Sequence, residues 1–206
     1  MSFEKPVFRL CLVTDRSLAK GRGLADIVAA AVRGGVTMVQ LREKTATARE
    51  FLEQARMLKA LLAGSGVPLI INDRVDIALA VDADGVHVGQ NDMPWAQVRH
   101  LLGPGKIIGL SVTLASQMAQ ADAAAADYLG IGPVFAQTTK PDAADVLGID
   151  GFAALRRLAG DKPVLAIGGI KAQHAGALRA AGAQGLAVVS AIMGAADPEA
   201  AARAFG

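Results

Sequence analysis

The sequence predicts an α/β fold, a single (β/α)8 TIM barrel over residues 1–206, on three observations. Eight short apolar runs alternate with Ala/Leu-rich segments of helical period, the pattern of strands and helices wound into an all-parallel sheet. Polar residues do not alternate through most of these runs, so each reads as a strand buried on both faces. Gly168-Gly169 follows the seventh run and Ser190 the eighth, where barrels of this kind often bind phosphate. An open doubly wound sheet fits the alternation too. The count of eight and the two C-terminal features favour closure.

Taken in order, the expected strands are 10–13, 38–41, 69–71, 85–88, 107–110, 128–131, 164–167 and 186–189. Helices are expected over 25–32, 49–62, 75–80, 95–102, 116–126, 151–158 and 172–181, with 75–80 the weakest pattern. Gly34, Gly64, Gly103, Gly160 and Gly182 stand where helices stop, and Pro94 stands where one begins. The longest irregular segment runs from Gly132 to about Gly148, and a loop of that length is usually functional.

Composition narrows the partners. The chain is 52% hydrophobic and 19% charged, with a net charge of +2, so it can bury a large core. Its basic residues are scattered and aromatics make up only 4%, which argues against a nucleic-acid surface. One cysteine, Cys11 in an apolar run, excludes a disulfide framework and reads as a small hydrophobe, in keeping with a reducing cytoplasm. The opening Met1–Pro6 lacks the layout of a signal peptide, and no apolar run approaches the roughly 20 residues needed to span a bilayer. A cytoplasmic protein with no membrane partner is expected. A homo-oligomer is compatible with the chain, which does not specify one.

In a parallel barrel, chemistry collects at the C-terminal strand ends. Strand two ends in Gln40-Leu41-Arg42-Glu43-Lys44, where Arg42 and Lys44, two apart, can point the same way and offer a fork and a point charge to phosphate. The plain alternative is a solvated loop. Strand three ends in Asn72-Asp73-Arg74, and Gly89-Gln90-Asn91-Asp92 follows strand four, placing two carboxylates on adjacent strand ends. Such a pair suits Mg²⁺ beside a diphosphate, although Asp92 can equally cap the following helix. Ser111 after strand five can bind phosphate or cap a helix. The loop after strand six carries Gln137, Thr138, Thr139 and Lys140, a plausible phosphate grip.

Other signals are negative. No His/Asp partner stands ready for a nucleophilic serine, so a hydrolase triad is rejected. His100 and His174 fall on expected solvated helix faces and His87 in a strand that packs or hydrogen-bonds near the core, which leaves zinc without ligands. Gly103-x-Gly105-x-x-x-Gly109 precedes a strand instead of opening a helix, so it is no dinucleotide fingerprint.

Read together, these segments resemble the thiamine phosphate synthase family. The matching pieces run in order over most of the chain: Leu12-Val13-Thr14-Asp15, Gly34-Gly35 through Gln40–Lys44, Ile71–Arg74, Asp84–Gln90 with Asp92, Gly109-x-Ser111, Gly132–Phe135, Thr139-Lys140, Ala166–Ile170 and Val189–Ile192. The resemblance implies a transferase that joins an aminopyrimidine methyl diphosphate to a thiazole phosphate, plain or carboxylated, giving thiamine phosphate and diphosphate. Its two partners would be phosphorylated small molecules and its cofactor Mg²⁺. By the same resemblance Gln40, Leu41, Arg42, Glu43, Lys44, Asn72, Ser111 and Lys140 would bind the pyrimidine diphosphate. Arg42, Lys44, Ser111 and Lys140 would be the catalytic members of that set. Asp73 and Asp92 would hold the metal, and Gln137, Thr138, Thr139, Gly169, Val189 and Ser190 would bind the thiazole phosphate. The loop departs from the family pattern at Gln137, where a threonine is usual, and the longer amide bears on how the thiazole is gripped. A thiazole tautomerase shares the barrel but is expected to carry a histidine after Gly132, where this chain has Pro133, and to lack the acid present as Asp92. A non-catalytic precursor-binding barrel would not need both aspartates and all three cations.

Overall fold

Successive residues of a strand face opposite ways, so eight strands of apolar residues must bury two separate cores. The computed structural model, which describes residues 5–121, 126–137 and 145–206, builds both. Strands β1 Leu10–Val13, β2 Met38–Leu41, β3 Leu69–Asn72, β4 Gly85–Val88, β5 Ile107–Val112, β6 Tyr128–Ile131, β7 Val164–Ile167 and β8 Gly185–Val188 form a closed parallel barrel in sequence order. The open-sheet alternative fails at the seam, where β1 pairs with β8 in the register Leu10↔Leu186 and Leu12↔Val188. Cys11, Val13, Met38, Ile70, Ile107, Tyr128, Leu165 and Ala187 pack together inside the barrel. Their neighbours along the strands, among them Leu12, Val39, Leu41, Ile71, Val86 and Leu129, pack outward against the helices. Cys11 is fully buried and burial pushes its thiol up to about 12, so it is an inert hydrophobe as expected.

The helices among the described residues are α1 Leu24–Arg33, α2 Ala48–Leu62, α3 Val75–Ala80, α4 Trp95–Leu102, α5 Ala115–Ala121, α6 Gly148–Leu158, α7 Ala175–Ala180, α8 Ser190–Met193 and α9 Pro198–Arg203. In α2 the apolar spacing puts Phe51, Ala55, Leu58 and Leu62 on one buried face. Thr47 and Glu50 close its N-terminus as a capping box. No helix among the described residues is long and apolar enough to cross a membrane.

Four readings shift. β5 runs on to Val112, because Ser111 continues the ladder opposite Gly130. β8 starts and ends one residue early, which frees Val189 to lead into α8. The expected helix 172–181 splits into a 3₁₀ turn Ala172–His174 and α7, and His174 is half-buried against the Phe135 ring, 4.1 Å away, instead of solvated. The part of the expected helix 116–126 that covers residues 122–125 lies outside the described residues. Helix α9 had no apolar stripe to announce it. Tertiary contact with α1 and the Asp197 cap with Pro198 at its first turn form it.

Candidate active site

All eight strands send residues to one cavity on the barrel axis at their C-terminal ends. It encloses about 120 Å³ and is lined by Val13 of β1, Gln40 and Arg42 of β2 and its end, Asn72 of β3 and His87 of β4. Ser111 of β5 and Thr113 just after it, Gly130 of β6 and Gly132 just after it, Ile167 of β7 and Gly168 just after it, and Val189 after β8 complete the ring, with Pro133 and Gln137 from the β6 loop. Two wider cavities adjoin it. One, of about 720 Å³, holds Arg16, Arg22, Arg42 and Lys44 with Asp15 and Glu43, and shares Arg42 with the axial cavity. The other, of about 370 Å³, holds Gly168, Gly169, Lys171, Val189 and Ser190, and shares Gln137, Gly168 and Val189 with it. A still larger hollow, about 880 Å³, lies around Lys59, Pro68 and Asp84, before β3 and β4. That is the stability end of a barrel, and Lys59 and Asp84 pair there at 2.8 Å. The three neighbouring cavities at the opposite end, which share wall residues, are therefore the candidate site.

On the cationic side, Thr14 fixes the end of β2. Its hydroxyl accepts from the Arg42 N–H at 3.0 Å and its own N–H donates to the Gln40 carbonyl at 2.9 Å. Thr14 is fully buried; the sequence marked it only as part of the Leu12–Asp15 piece of the family resemblance, with no role assigned. Arg42 and Lys44 do face one cavity, as their spacing predicted. Leu41 points its side chain into the outer core, so only its backbone is available to a ligand. Glu43 also turns away. Its carboxylate accepts from Arg16 Nε at 3.1 Å, and Gln54, with its amide turned to suit, donates to the other oxygen at 2.8 Å. Burial raises the Glu43 carboxyl above the ordinary range, and the nearby Arg16 offsets part of that.

Asn72 and Asp73 form one unit, with Asn72 Nδ2 donating to Asp73 Oδ2 at 2.6 Å. Asp73 adopts φ 62°, a left-handed conformation that costs a side-chain-bearing residue about 1–2 kcal/mol. Its N–H donates to the His87 carbonyl of the next strand at 2.8 Å, which holds it there. Asp92 does not cap α4, whose N-cap is Pro94 without a side-chain bond. It accepts instead from the Gly89 N–H at 2.7 Å and so folds the loop after β4 back on itself. Both aspartates are exposed, on adjacent strand ends. Among the described residues no three His, Cys, Asp or Glu side chains gather as a metal nest. Two hard carboxylates left for water and a substrate phosphate to complete are nonetheless the ordinary protein share of a Mg²⁺ site, and the donor set fits that ion.

The opposite side is built from backbone. Gly168 and Gly169 adopt φ 99° and 63°, and a methyl group on Gly169 would lie 2.8 Å from Phe135 Cβ. Only glycine allows this turn to press against the β6 loop while leaving its N–H groups near the cavity. Ser190 opens α8 beside it. Arg22 ties α8 down from behind, its three guanidinium nitrogens donating to the carbonyls of Ala19, Met193 and Ala195 at 3.1, 2.8 and 2.6 Å. Arg22 and Lys171 were not singled out in the sequence, because both stand outside the strand-end positions that guided the search. Gln137 sits where the axial and glycine-lined cavities meet. Thr138, Thr139 and Lys140 lie outside the described residues.

Below the axial cavity runs a chain of inward side chains from β4, β5 and β6. His87 Nε2 lies 2.8 Å from Ser111 Oγ, and His87 Nδ1 lies 2.9 Å from Tyr128 Oη. Tyr128 is buried, which holds its phenol far above the usual range. His87 thus packs and hydrogen-bonds near the core, as its place in the strand predicted.

Comparison with known proteins completes the description. Residues 10–192 match the family described as thiamine monophosphate synthase. The chain is similar to a thiamine-phosphate synthase of Chloroflexus aurantiacus, 53% identical over 196 residues that cover 95% of this chain and 90% of that one. It is likewise similar to a thiamine-phosphate synthase of Syntrophomonas wolfei, 52% identical over 95% of this chain and 93% of that one. Among solved structures it superposes on a thiamine phosphate pyrophosphorylase from Pyrococcus furiosus with a TM-score of 0.87 and 36% identity, over 98% of this chain and 95% of that one.

Proposed function

The chain belongs to the thiamine monophosphate synthase family, a family of transferases, and from that premise we propose how its barrel mouth divides the work between two phosphorylated substrates. The 720 Å³ cavity takes the diphosphate of an aminopyrimidine methyl diphosphate, and Arg42 and Lys44 neutralise it there. The axial cavity takes the pyrimidine ring, against Gln40 and Asn72, with Ser111 there donating to the near end of the diphosphate. The 370 Å³ cavity takes the phosphate of the thiazole, on the N–H groups of Gly169 and Ser190. The observation that carries this reading is that the three spaces share wall residues. Arg42 belongs to the first and second, and Gln137 to the second and third.

The reaction that suits these residues is dissociative. The bond from the pyrimidine methylene to oxygen breaks, and its electron pair leaves with diphosphate. The methylene cation, stabilised by the aminopyrimidine ring, is then captured by the lone pair of the thiazole nitrogen. Asp73 and Asp92 would hold Mg²⁺, which when bound adds positive charge beside the departing diphosphate. Arg42 and Lys44 bind negative charge that grows as the bond breaks, so they stabilise the transition state more than the ground state. Neither a strong base nor a protein nucleophile is required, and Ser111 serves as a hydrogen-bond donor. Lys140 would add a third positive charge at the departing diphosphate, and Gln137, Thr138 and Thr139 would bind the thiazole phosphate. The setting we propose is the cytoplasm.

Incubating the purified protein with both substrates and Mg²⁺ should release diphosphate and form thiamine phosphate. Asp73→Ala should lower the Mg²⁺-dependent rate on the order of a hundred-fold or more while leaving the melting temperature close to that of the parent. Thiazole isomerisation without diphosphate release would refute the transferase reading. Full activity of Asp73→Ala would refute the metal assignment alone.

A further inference from the structure

The polar chain beneath the axial cavity contains two side chains, His87 and Tyr128, that the proposed reaction does not use. Polar groups inside a barrel core are expensive unless every one is satisfied. The sequence makes room for them all the same. A methyl group on Gly109 would collide with both the His87 and Tyr128 rings, and one on Gly130 would lie 3.1 Å from His87 Cε1. Glycines on β5 and β6 therefore reserve the space that the two rings occupy. His87 itself is only 7% exposed and Tyr128 1%. Ser111, at one end of the chain, lines the axial cavity, whereas Tyr128 at the other does not.

We infer that His87 is a positioning residue that, held by Tyr128 as the Nε2–H tautomer, aims the Ser111 hydroxyl proton into the axial cavity. The inference rests on the function proposed above for its choice of ligand. A neutral imidazole has one N–H and one lone pair, so hydrogen bonds through it run in a single sense. Burial keeps the Tyr128 phenol protonated, so Tyr128 always has one proton to donate. In one sense Tyr128 donates to His87 Nδ1, His87 Nε2–H donates to Ser111 Oγ, and Ser111 donates to the ligand. In the opposite sense Ser111 spends its proton on His87 and presents only lone pairs to the cavity.

An aminopyrimidine diphosphate decides between the two. Its anionic oxygens need donors. Only the first sense leaves Ser111 a donor.

The tautomer can be read directly by ¹⁵N NMR of histidine-labelled protein, with His87→Asn assigning the resonance. The expected result is a bare Nδ1 and a protonated Nε2 in the parent, and a mixed tautomer in Tyr128→Phe, a variant that keeps the ring packed 5.3 Å from Phe8. A protonated Nδ1 in the parent overturns the inference whether or not the enzyme turns over. Kinetics supply the second arm. His87→Asn keeps an acceptor for Tyr128 but cannot reach Ser111, and should lower kcat/KM for the pyrimidine diphosphate about ten-fold with KM for the thiazole phosphate unchanged. His87→Gln, whose amide reaches Ser111, should recover most of that loss. The Ser111→Ala/His87→Asn double variant should be no slower than Ser111→Ala, because His87 acts through the serine. Multiplying losses, or equal changes for both substrates, would leave His87 a purely structural residue. A protein with the expected tautomer that releases no diphosphate would refute the functional reading and leave the network standing.

Discussion

Glu43 stands between the two cations of the diphosphate side, and its charge has the wrong sign for that ligand. The fold resolves this by turning the carboxylate to Arg16 and Gln54, so what the strand-end position supplies is a backbone. Proximity in sequence placed Leu41 and Glu43 in the site with Gln40, Arg42 and Lys44. The two-residue strand period assigned the side chains: Gln40 and Arg42 face inward, Leu41 outward. That much was legible from residue order, and the burial partner of Glu43 was not, since Arg16 lies 27 positions away. Glu43 also gives a pH prediction. Its folded pKa is raised, chiefly by burial, so folding disfavours the ionised form. The group therefore subtracts from stability above its folded pKa, and the penalty is relieved as the pH falls through that value toward the unfolded value of about 4.3. Glu43→Gln keeps an acceptor for Arg16 without a charge. It should melt at or above the parent temperature at neutral pH, with the gap shrinking as the pH approaches about 4. Thermal melts at several pH values test this, and a variant less stable at pH 7 than at pH 4 relative to the parent would show that the Arg16 attraction outweighs burial.

At the scale of the element, the strands were readable because each is a short apolar run between polar breaks, and their ends hold within a residue or two. The short helices were not. Helix α8 has four residues, far below the length at which a helix stands alone, and only its contacts decide its place. Arg22 is the chief of these. It comes from the chain between β1 and α1, and it fixes the carbonyl end of α8 while Ser190 at the other end faces the glycine-lined cavity. All three nitrogens of Arg22 point to carbonyls, so its role is to hold α8 and not to bind diphosphate. Arg22→Met, which keeps the apolar stem, should raise KM for the thiazole phosphate about ten-fold and leave KM for the pyrimidine diphosphate within about two-fold. Steady-state kinetics with each substrate varied in turn would show it. A larger effect on the pyrimidine side would make Arg22 a diphosphate ligand instead.

Across the whole molecule, the site exists only because the sheet closes. The diphosphate cavity draws on the loops after β1 and β2, the thiazole cavity on those after β6, β7 and β8, and the seam between β8 and β1 brings the two groups of loops together. At that seam Gly185 has no room for a side chain, since a methyl group there would run into the Phe8 carbonyl oxygen. Phe8 ends the 3₁₀ turn that leads into β1, and the Leu186 N–H donates to the next carbonyl, that of Arg9, at 3.1 Å. The obstacle is backbone on both sides, so neither partner can swing away as a flexible side chain would, and the ladder itself has to part. Gly185→Ala should therefore cost about 3 kcal/mol or more. In a domain of this size that is a fall of roughly 6–12 °C in melting temperature. Gly176→Ala is the matched comparison, because its methyl group would meet nothing within 4 Å in helix α7. It should gain about 0.5–1 kcal/mol from helix propensity and a stiffer unfolded chain. Urea titrations of the two variants give both signs in one experiment. Equal midpoints would mean that the β8–β1 seam yields to a methyl group, and that the two halves of the site are held in place by something other than closure of the barrel.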